Sequence, residues 1–177
     1  LYKIANDIRL LGSGPNTAIG ELRLPTVQVG SSIMPGKVNP VVPEYVMQLA
    51  LTVFGHDEII SHACAQGNLQ LNQFAPIIIH YTLKSMKILQ NSCKALKEYV
   101  AKIEVQKERC EEHLQSSASN LTPLINYFGY EKVSQAIKDA NWDIQKAISL
   151  LAQSEGISAQ ELLGKLNINK MTGLGFV

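Results

Sequence analysis

The segment at residues 30–40, GSSIMPGKVNP, places a hydroxyl, an ammonium and an amide between two glycines and two prolines. The glycines let the backbone approach a ligand closely and present N–H groups, which bind anions. Lys37 supplies a positive charge and Asn39 an amide that donates and accepts. Ser31 can act as a base only where a cation and N–H groups stabilise its alkoxide. This set suits proton abstraction beside a carboxylate, because aimed donors stabilise the negative charge that then develops.

The same residues also allow two other interpretations. A phosphate loop needs four residues between its glycines and a Ser or Thr after its lysine. Here five residues separate the glycines and Val38 follows Lys37, which disfavours a phosphate loop. The other interpretation is a loop that caps a helix, with Asn39 as the N-cap, Pro40 at the first helical position and Lys37 solvated. The residues alone leave this interpretation open beside the catalytic one.

Two long helices are predicted to position this segment. The chain from Pro40 to about Gln66 is apolar nearly all round and has Glu44 in its first turns, which predicts a helix buried on most sides. One face of it is marked by Val42, Val46, Leu49, Val53 and Ile60. A second helix, from about Pro76 to Ile103, has a three-four seam that is typical of a bundle. Its seam residues are Ile79, Leu83, Met86, Cys93, Leu96, Val100 and Ile103.

The regions on either side of these helices have different patterns. Residues 12–40 carry frequent glycines and prolines and are predicted to be a loop. After Ile103 we expect short helices, with Asp143 and Ser158 as caps. Their predicted bounds are about 105–118, 121–127, 130–141, 143–154 and 158–165. The sequence therefore predicts an all-α fold, with long helices of a central bundle in residues 1–104 and a small C-terminal helical domain in residues 105–177.

Composition excludes several classes of function. The formal charge of +1 argues against a general nucleic-acid or membrane-surface binder. No apolar run reaches the roughly 18 residues that a membrane span needs. The three cysteines are odd in number and far apart, which predicts free thiols in a reducing cytoplasm. The opening LYKIANDIRLLGSG has no methionine and resembles the last turns of a helix, so we expect a piece of a larger protein.

Two further segments invite a functional interpretation. HDEIISH contains His56 and His62, but helical metal ligands are spaced by four residues and these by six, so no metal site is expected. FGYEKVSQAIKDANWDIQKAISLL, residues 128–151, has an aromatic-Gly-aromatic start and an Asn-Trp-Asp break. It weakly resembles a ubiquitin-associated three-helix domain. A non-enzymatic helical binding module is therefore an alternative function of another class.

GSSIMPGKVNP resembles, without a break, the signature loop of the fumarase/aspartase superfamily, including the neighbours Met-Pro and Lys-Val-Asn. The resemblance extends to ANDIRLLGSGP before it, to GNLQLNQFAP at residues 67–76, and to GIS and NKMTG near the end. It implies the C-terminal part of a longer subunit, with the last bundle helices followed by the small helical domain. The family builds each active site from three regions on three subunits of a homotetramer, and this chain carries one of the three.

The resemblance also implies roles for individual residues. Ser31 matches the catalytic base on a mobile loop, and Glu44 matches an acid that orients a histidine from a neighbouring subunit. The remaining positions match those that contact the substrate through side chains or backbone N–H groups. They are Ser32, Ile33, Met34, Lys37, Val38 and Asn39.

The implied reaction is reversible anti-elimination from a four-carbon dicarboxylate to give fumarate, without a cofactor. The stretch KVNPVVPE, residues 37–44, resembles aspartases, which favours L-aspartate as the substrate. Fumarases more often carry polar residues after the proline, and GNLQLNQFAP has features of both groups, so L-malate is the alternative. A cytoplasmic homotetramer with composite active sites is the expected assembly.

Overall fold

The computed structural model describes residues 1–14 and 16–166. The chain divides into two compact units, Leu1–Gln106 and Lys107–Val177. The motif NKMTG of the sequence analysis lies outside the described residues. The all-α fold class is confirmed, apart from one short pair of strands described below. Within the described residues, every helix is too short or too polar to cross a membrane.

The first unit is built on a long helical hairpin. Its helices are α1 (Tyr2–Leu11), α2 (Val41–Cys64) and α3 (Ala75–Val100). The Nδ1 atom of His56 on α2 lies 2.9 Å from the Oγ atom of Ser85 on α3. Val46 and Leu96, further along the same two helices, share a buried cluster with Ala5 of α1. α2 and α3 are therefore antiparallel, and α1 packs near the start of α2.

A single asparagine shapes the turn between α2 and α3. The Nδ2 atom of Asn72 donates to the carbonyl oxygens of Ala63 at 3.0 Å and Cys64 at 3.2 Å. Its Oδ1 atom accepts a hydrogen bond from the backbone N–H of Phe74 at 2.8 Å. One amide thus satisfies carbonyl groups at the end of α2 and an N–H group at the start of α3, the groups that a helix leaves unpaired.

The segment between α1 and α2 is not entirely a loop. Strand β1 (Leu22–Arg23) pairs in antiparallel fashion with strand β2 (Glu104–Val105), with Leu22 opposite Val105. The predicted helix start at residue 105 is therefore wrong. Two residues are too few to produce a readable alternation, and their pairing depends on a partner about eighty positions away in the chain.

The predicted inner face of α2 is confirmed, but its predicted burial on most sides is wrong. Val46 is fully buried, and the other four residues of that face are half-buried. The opposite side is open, because Tyr45, Leu51 and Phe54 are 47%, 53% and 59% exposed. Only α1 and α3 pack on this helix in appreciable extent within the described chain, and they cover one side.

The predicted seam of α3 is wrong at most of its positions, although Leu96 of that seam is buried. Ile79, Leu83 and Met86 are 57%, 61% and 62% exposed. A second three-four stripe is instead half-buried or buried against the rest of the unit. It consists of Ile78, Tyr81, Ser85, Ile88, Ser92, Ala95 and Tyr99. This stripe includes serines and tyrosines, so a search for purely apolar spacing selects the other one.

The second unit is made of short helices around its own core. Its elements are α4 (Lys107–Ser116), a 3-10 helix (Ala118–Leu124), α5 (Ile125–Phe128), α6 (Tyr130–Asp139), α7 (Ile144–Glu155) and α8 (Ala159–Lys165). The predicted α-helix at 121–127 is wrong, because Pro123 lies inside the 3-10 turn. Both predicted caps are confirmed: Asp143 accepts from the N–H of Lys146 at 3.0 Å, and Ser158 from that of Glu161 at 3.2 Å.

Candidate active site

The signature loop is closed at its base by contacts between its two ends. The Nδ2 atom of Asn39 donates to the carbonyl oxygen of Gly30 at 2.9 Å. A Cβ atom at Gly30 would lie 2.1 Å from the carbonyl oxygen of Lys37, so only glycine permits this approach. Gly36 has a φ of 74°, in the left-handed region that favours glycine. The two glycines therefore set the shape of the loop.

Asn39 does not cap α2, so this prediction is wrong. The N-cap residue is Pro40, without a side-chain hydrogen bond, and the first helical residue is Val41. The Asn39 amide is used to close the loop instead. The interpretation of the segment as a simple helix cap therefore loses its main support.

The hydroxyl of Ser31 is held by backbone N–H groups of its own loop. The N–H of Ile33 donates to Ser31 Oγ at 3.1 Å and the N–H of Met34 donates to it at 3.0 Å. Two donors on one oxygen stabilise negative charge on that oxygen. In this arrangement the two N–H groups that were predicted to receive a substrate carboxylate are engaged by the serine.

The other residues of the loop tip point their side chains largely to solvent. Ile33 is 87% exposed, Met34 52% and Val38 42%. Ser32 and Lys37 are also exposed. Among the described residues, Lys37 has no ion-pair partner, so its ammonium is available to a ligand carboxylate. The apolar tip of the loop is therefore open to solvent within the described chain.

Glu44 lies in the first turn of α2, as predicted, five residues beyond Asn39. Its side chain is half-buried, and it forms no ion pair with any described residue. The structure thus brings Ser31, Ile33 and Met34 into direct contact and joins Asn39 to the start of their loop. Glu44 lies on α2, the helix that follows the loop.

Sequence reasoning missed Tyr99, the last inward residue of α3. Its side chain is 4% exposed, and among the described residues its hydroxyl has no hydrogen-bond partner. Burial raises the pKa of Tyr99, and the charge of Glu44 raises it further. The spacing of Ser85, Ser92 and Tyr99 at seven-residue intervals is the sequence signal that could have identified this face.

The histidines do not form a metal site in the described residues. His56 is 7% exposed and packs against Tyr81, with ring centroids 4.7 Å apart and the ring planes tilted by 52°. His62 points to solvent and pairs with Glu58 at 3.1 Å. The two residues therefore lie on different sides of α2.

The segment that resembles a ubiquitin-associated domain contains α6, α7 and the break between them. Tyr130 and Trp142 are 70% and 67% exposed and line a cavity of about 830 Å³ in the second unit. An open aromatic patch of this kind can bind a partner, but it does not identify one. The binding module stays a prediction.

Comparisons with known proteins cover nearly the whole chain. A family model described as "Lyase" matches residues 1–55. A class II fumarate hydratase of Pseudomonas putida is 46% identical over 141 residues, which is 79% of this chain and 30% of that protein. An aspartate ammonia-lyase of Pseudomonas aeruginosa is 45% identical over 141 residues, with the same two shares. A solved fumarate lyase:delta crystallin from Brucella melitensis, bound to cobalt, superposes with a TM-score of 0.84 at 42% identity, covering 98% of this chain and 38% of that one.

The chain thus spans about a third of the length of the proteins that it matches. The names of the two relatives imply different substrates, so these matches support the superfamily that both belong to and not one substrate. Sequence, helical architecture and signature loop agree on the same group. The chain belongs to the fumarase/aspartase superfamily of lyases.

Proposed function

We propose that the chain is the C-terminal part of a lyase subunit that eliminates ammonia from L-aspartate to give fumarate, with Ser31 as the base. The observation that carries this proposal is the pair of N–H groups, from Ile33 and Met34, that donate to the Ser31 hydroxyl oxygen. A serine removes a carbon-bound proton only if its alkoxide is stabilised, and this geometry supplies two such donors.

In the proposed reaction the Cβ proton of aspartate passes to Ser31. The electron pair left on Cβ is delocalised into the neighbouring carboxylate as an aci-carboxylate, and it then forms the double bond as ammonia departs from Cα. Lys37 holds that carboxylate, where its charge stabilises the intermediate. Asn39 keeps one N–H and its oxygen for the substrate beyond the bond to Gly30. Ser32 and Val38 contact the substrate from the exposed tip.

The proposed assembly is a homotetramer in which other subunits complete each site. Two features support it: the exposed apolar tip of the loop, and the lack of an ion-pair partner for Glu44 among the described residues. A carboxylate in this position can orient a cationic histidine brought by a neighbouring subunit. The reaction as proposed needs no cofactor, and the enzyme is expected in the cytoplasm.

Aspartate is preferred to malate because KVNPVVPE resembles the aspartase form of the loop. Malate remains the alternative, since relatives of both names match the chain at similar identity. The two substrates differ in the leaving group. The ammonium group of aspartate leaves as ammonia. The hydroxyl group of malate leaves as water, once it has been protonated.

The test is to supply the complete subunit with L-aspartate and, separately, with L-malate, and to follow fumarate by ultraviolet absorbance. Fumarate and an equal amount of ammonia from aspartate would support the proposal. Fumarate from malate alone would replace it with a fumarate hydratase that uses the same loop. If neither substrate gave fumarate, both proposed activities would be excluded.

A further inference from the structure

The cavity of the second unit is a groove that runs along α6. Residues from Tyr130 at one end of this helix to Lys138 near the other line it, a length of about 12 Å. The 3-10 helix and the start of α5 form the facing wall. Ile125 and Ile137 line the groove while packing against the core of the unit, so its floor is apolar. Its length is that of two helical turns, which is what a short helix docked in a groove presents.

Each end of the groove has one charged side chain. Glu131 lies in the first turn of α6 and Lys138 in its last turn, and both line the groove. They are seven positions apart, about 10 Å along the helix, so they lie on the same side of it. Neither forms an ion pair with a described residue, whereas Lys132 of the same groove pairs with Glu155 at 2.8 Å. The groove is therefore acidic at one end and basic at the other.

An exposed aromatic ring accompanies each of these charges. Tyr130 precedes Glu131 in the chain and is 70% exposed, and Trp142 follows α6 and is 67% exposed. Trp142 has a φ of 64°, in the left-handed region, and its N–H donates to the carbonyl oxygen of Ile137 at 3.0 Å. A bulky residue rarely adopts this conformation, so its presence in a fixed turn indicates a use for the exposed ring.

We propose that this groove binds an amphipathic helix of a partner protein that carries one basic and one acidic residue two turns apart beside its apolar face. The basic residue pairs with Glu131 and the acidic residue with Lys138. Apolar side chains between them cover the floor, and Tyr130 and Trp142 pack on the two ends. Charges at the edge of an interface select the partner more than they tighten binding, and a tryptophan anchor contributes most of the affinity. None of these residues takes part in the proposed reaction.

The experiment measures binding of three fluorescein-labelled helical peptides to the complete subunit by fluorescence anisotropy. The peptides share one apolar face and differ at two positions seven residues apart, which hold one Lys and one Glu, two Lys, or two Glu. This design gives the same comparison whichever direction the peptide takes in the groove. We expect the Lys/Glu peptide to bind wild type about threefold more tightly than either of the others, since one mismatched charge at an exposed edge changes affinity by that order.

Charge reversal in the groove should move this preference. Lys138→Glu should bind the two-Lys peptide best, and Glu131→Lys should bind the two-Glu peptide best. Lys146→Glu is the matched control, because it reverses an exposed lysine of α7 outside the groove, and it should keep the wild-type preference. The proposal is overturned if no peptide binds wild type, or if the order of the three affinities is the same in all four proteins.

Trp142→Gly separates docking from folding. Glycine adopts the left-handed conformation without strain, so the melting temperature should stay near that of wild type. The Lys/Glu peptide should bind about tenfold more weakly, because the aromatic anchor is lost. A lower melting temperature with unchanged peptide binding would mean that Trp142 serves the fold alone, which would overturn the proposal.

The same peptides test two other occupants of the groove. If a variant without residues 167–177 binds the Lys/Glu peptide several-fold more tightly than wild type, those residues fill the groove. If Lys138→Glu lowers the mass of the assembly in light scattering, a second copy of the chain fills it. Either result overturns the proposal, and unchanged affinity together with unchanged mass supports it.

Discussion

The two units of the chain treat their apolar side chains in opposite ways. The second unit buries a contiguous core of its own, in which Leu121, Leu124, Leu151 and Leu162 are at most 2% exposed. The central cluster of the first unit contains Ala5, Val46 and Leu96, while long apolar stripes of its two main helices face outward. The second unit therefore carries its own stabilising core, whereas the first leaves long apolar stripes of its helices exposed within the described chain.

The contrast extends to the signature loop. The signature loop belongs to the unit whose apolar surface is left open, and its own tip is open as well. A site that is assembled from several chains would have this appearance in one chain alone.

The largest expected effect is on turnover by the complete subunit. Ser31→Ala and Lys37→Ala each lower kcat by about a hundredfold or more, since removal of one group that acts on transition-state charge costs about 3 kcal/mol. The measurement is the rate of fumarate formation. Ser134→Ala and Lys138→Ala, which remove the same chemical groups from α6 of the second unit, are matched controls with rates near wild type. If only the two control variants lost activity, the catalytic residues would lie in the second unit, which would contradict the prediction.

The next effect is on stability of the isolated chain. Leu151→Ala removes a side chain that is 2% exposed and should lower the free energy of unfolding of the second unit by about 2–5 kcal/mol. Leu83→Ala removes one that is 61% exposed and should cost less than about 1 kcal/mol. Urea unfolding followed by circular dichroism gives both values. Equal losses of unfolding free energy would mean that the α3 stripe that contains Leu83 is buried within the chain itself.

The third effect is on association. We expect the isolated chain to self-associate and to be inactive, because exposed apolar stripes of this kind drive association. Leu83→Lys should shift it toward the monomer in light scattering. Leu163→Lys, at a leucine that is 45% exposed on α8, is the control and should leave the mass unchanged. A soluble wild-type monomer with normal turnover would contradict both halves of the prediction.

The smallest expected effect is a pH dependence of the stability of the α2–α3 hairpin. Burial lowers the pKa of His56 from its ordinary value of 6.5, and the nearby Lys84 and His80 lower it further. Below about pH 6.5 the unfolded chain therefore binds a proton that the folded hairpin does not, so the free energy of unfolding falls as the pH drops, until His56 itself is protonated. His56→Gln should flatten this slope in urea titrations at a series of pH values. If the slope were unchanged in this variant, a group other than His56 would cause the pH dependence.

Local patterns predicted the helices, the family and the inner face of α2, but not the exposure of the other side of α2 or the face that α3 buries. The bounds of α2 and α3 and the caps at Asp143 and Ser158 follow from short-range spacing and capping chemistry. Burial depends on what packs beside a helix, and α3 offers two stripes of equal period. The stripe chosen inside the chain is the one whose Ser85 can pair with His56.

The contacts within the signature loop were only partly predicted from the sequence. The motif predicts functional roles for Ser31, Lys37 and Asn39. It did not show that the N–H groups of Ile33 and Met34 hold the serine oxygen, or that Asn39 closes the loop. Those contacts depend on backbone angles set by two glycines, which a sequence pattern does not specify.

The central claim is that Ser31 removes the Cβ proton of the substrate. The most direct measurement is exchange of that proton with solvent: the complete subunit is incubated in D2O with L-aspartate, and in parallel with L-malate, and deuterium at the β carbon is followed by NMR. We predict incorporation by the wild type, and incorporation at least a hundredfold slower by Ser31→Ala, about the cost of one such group, while calorimetry still shows that the variant binds substrate. Incorporation by Ser31→Ala at the wild-type rate would contradict the claim.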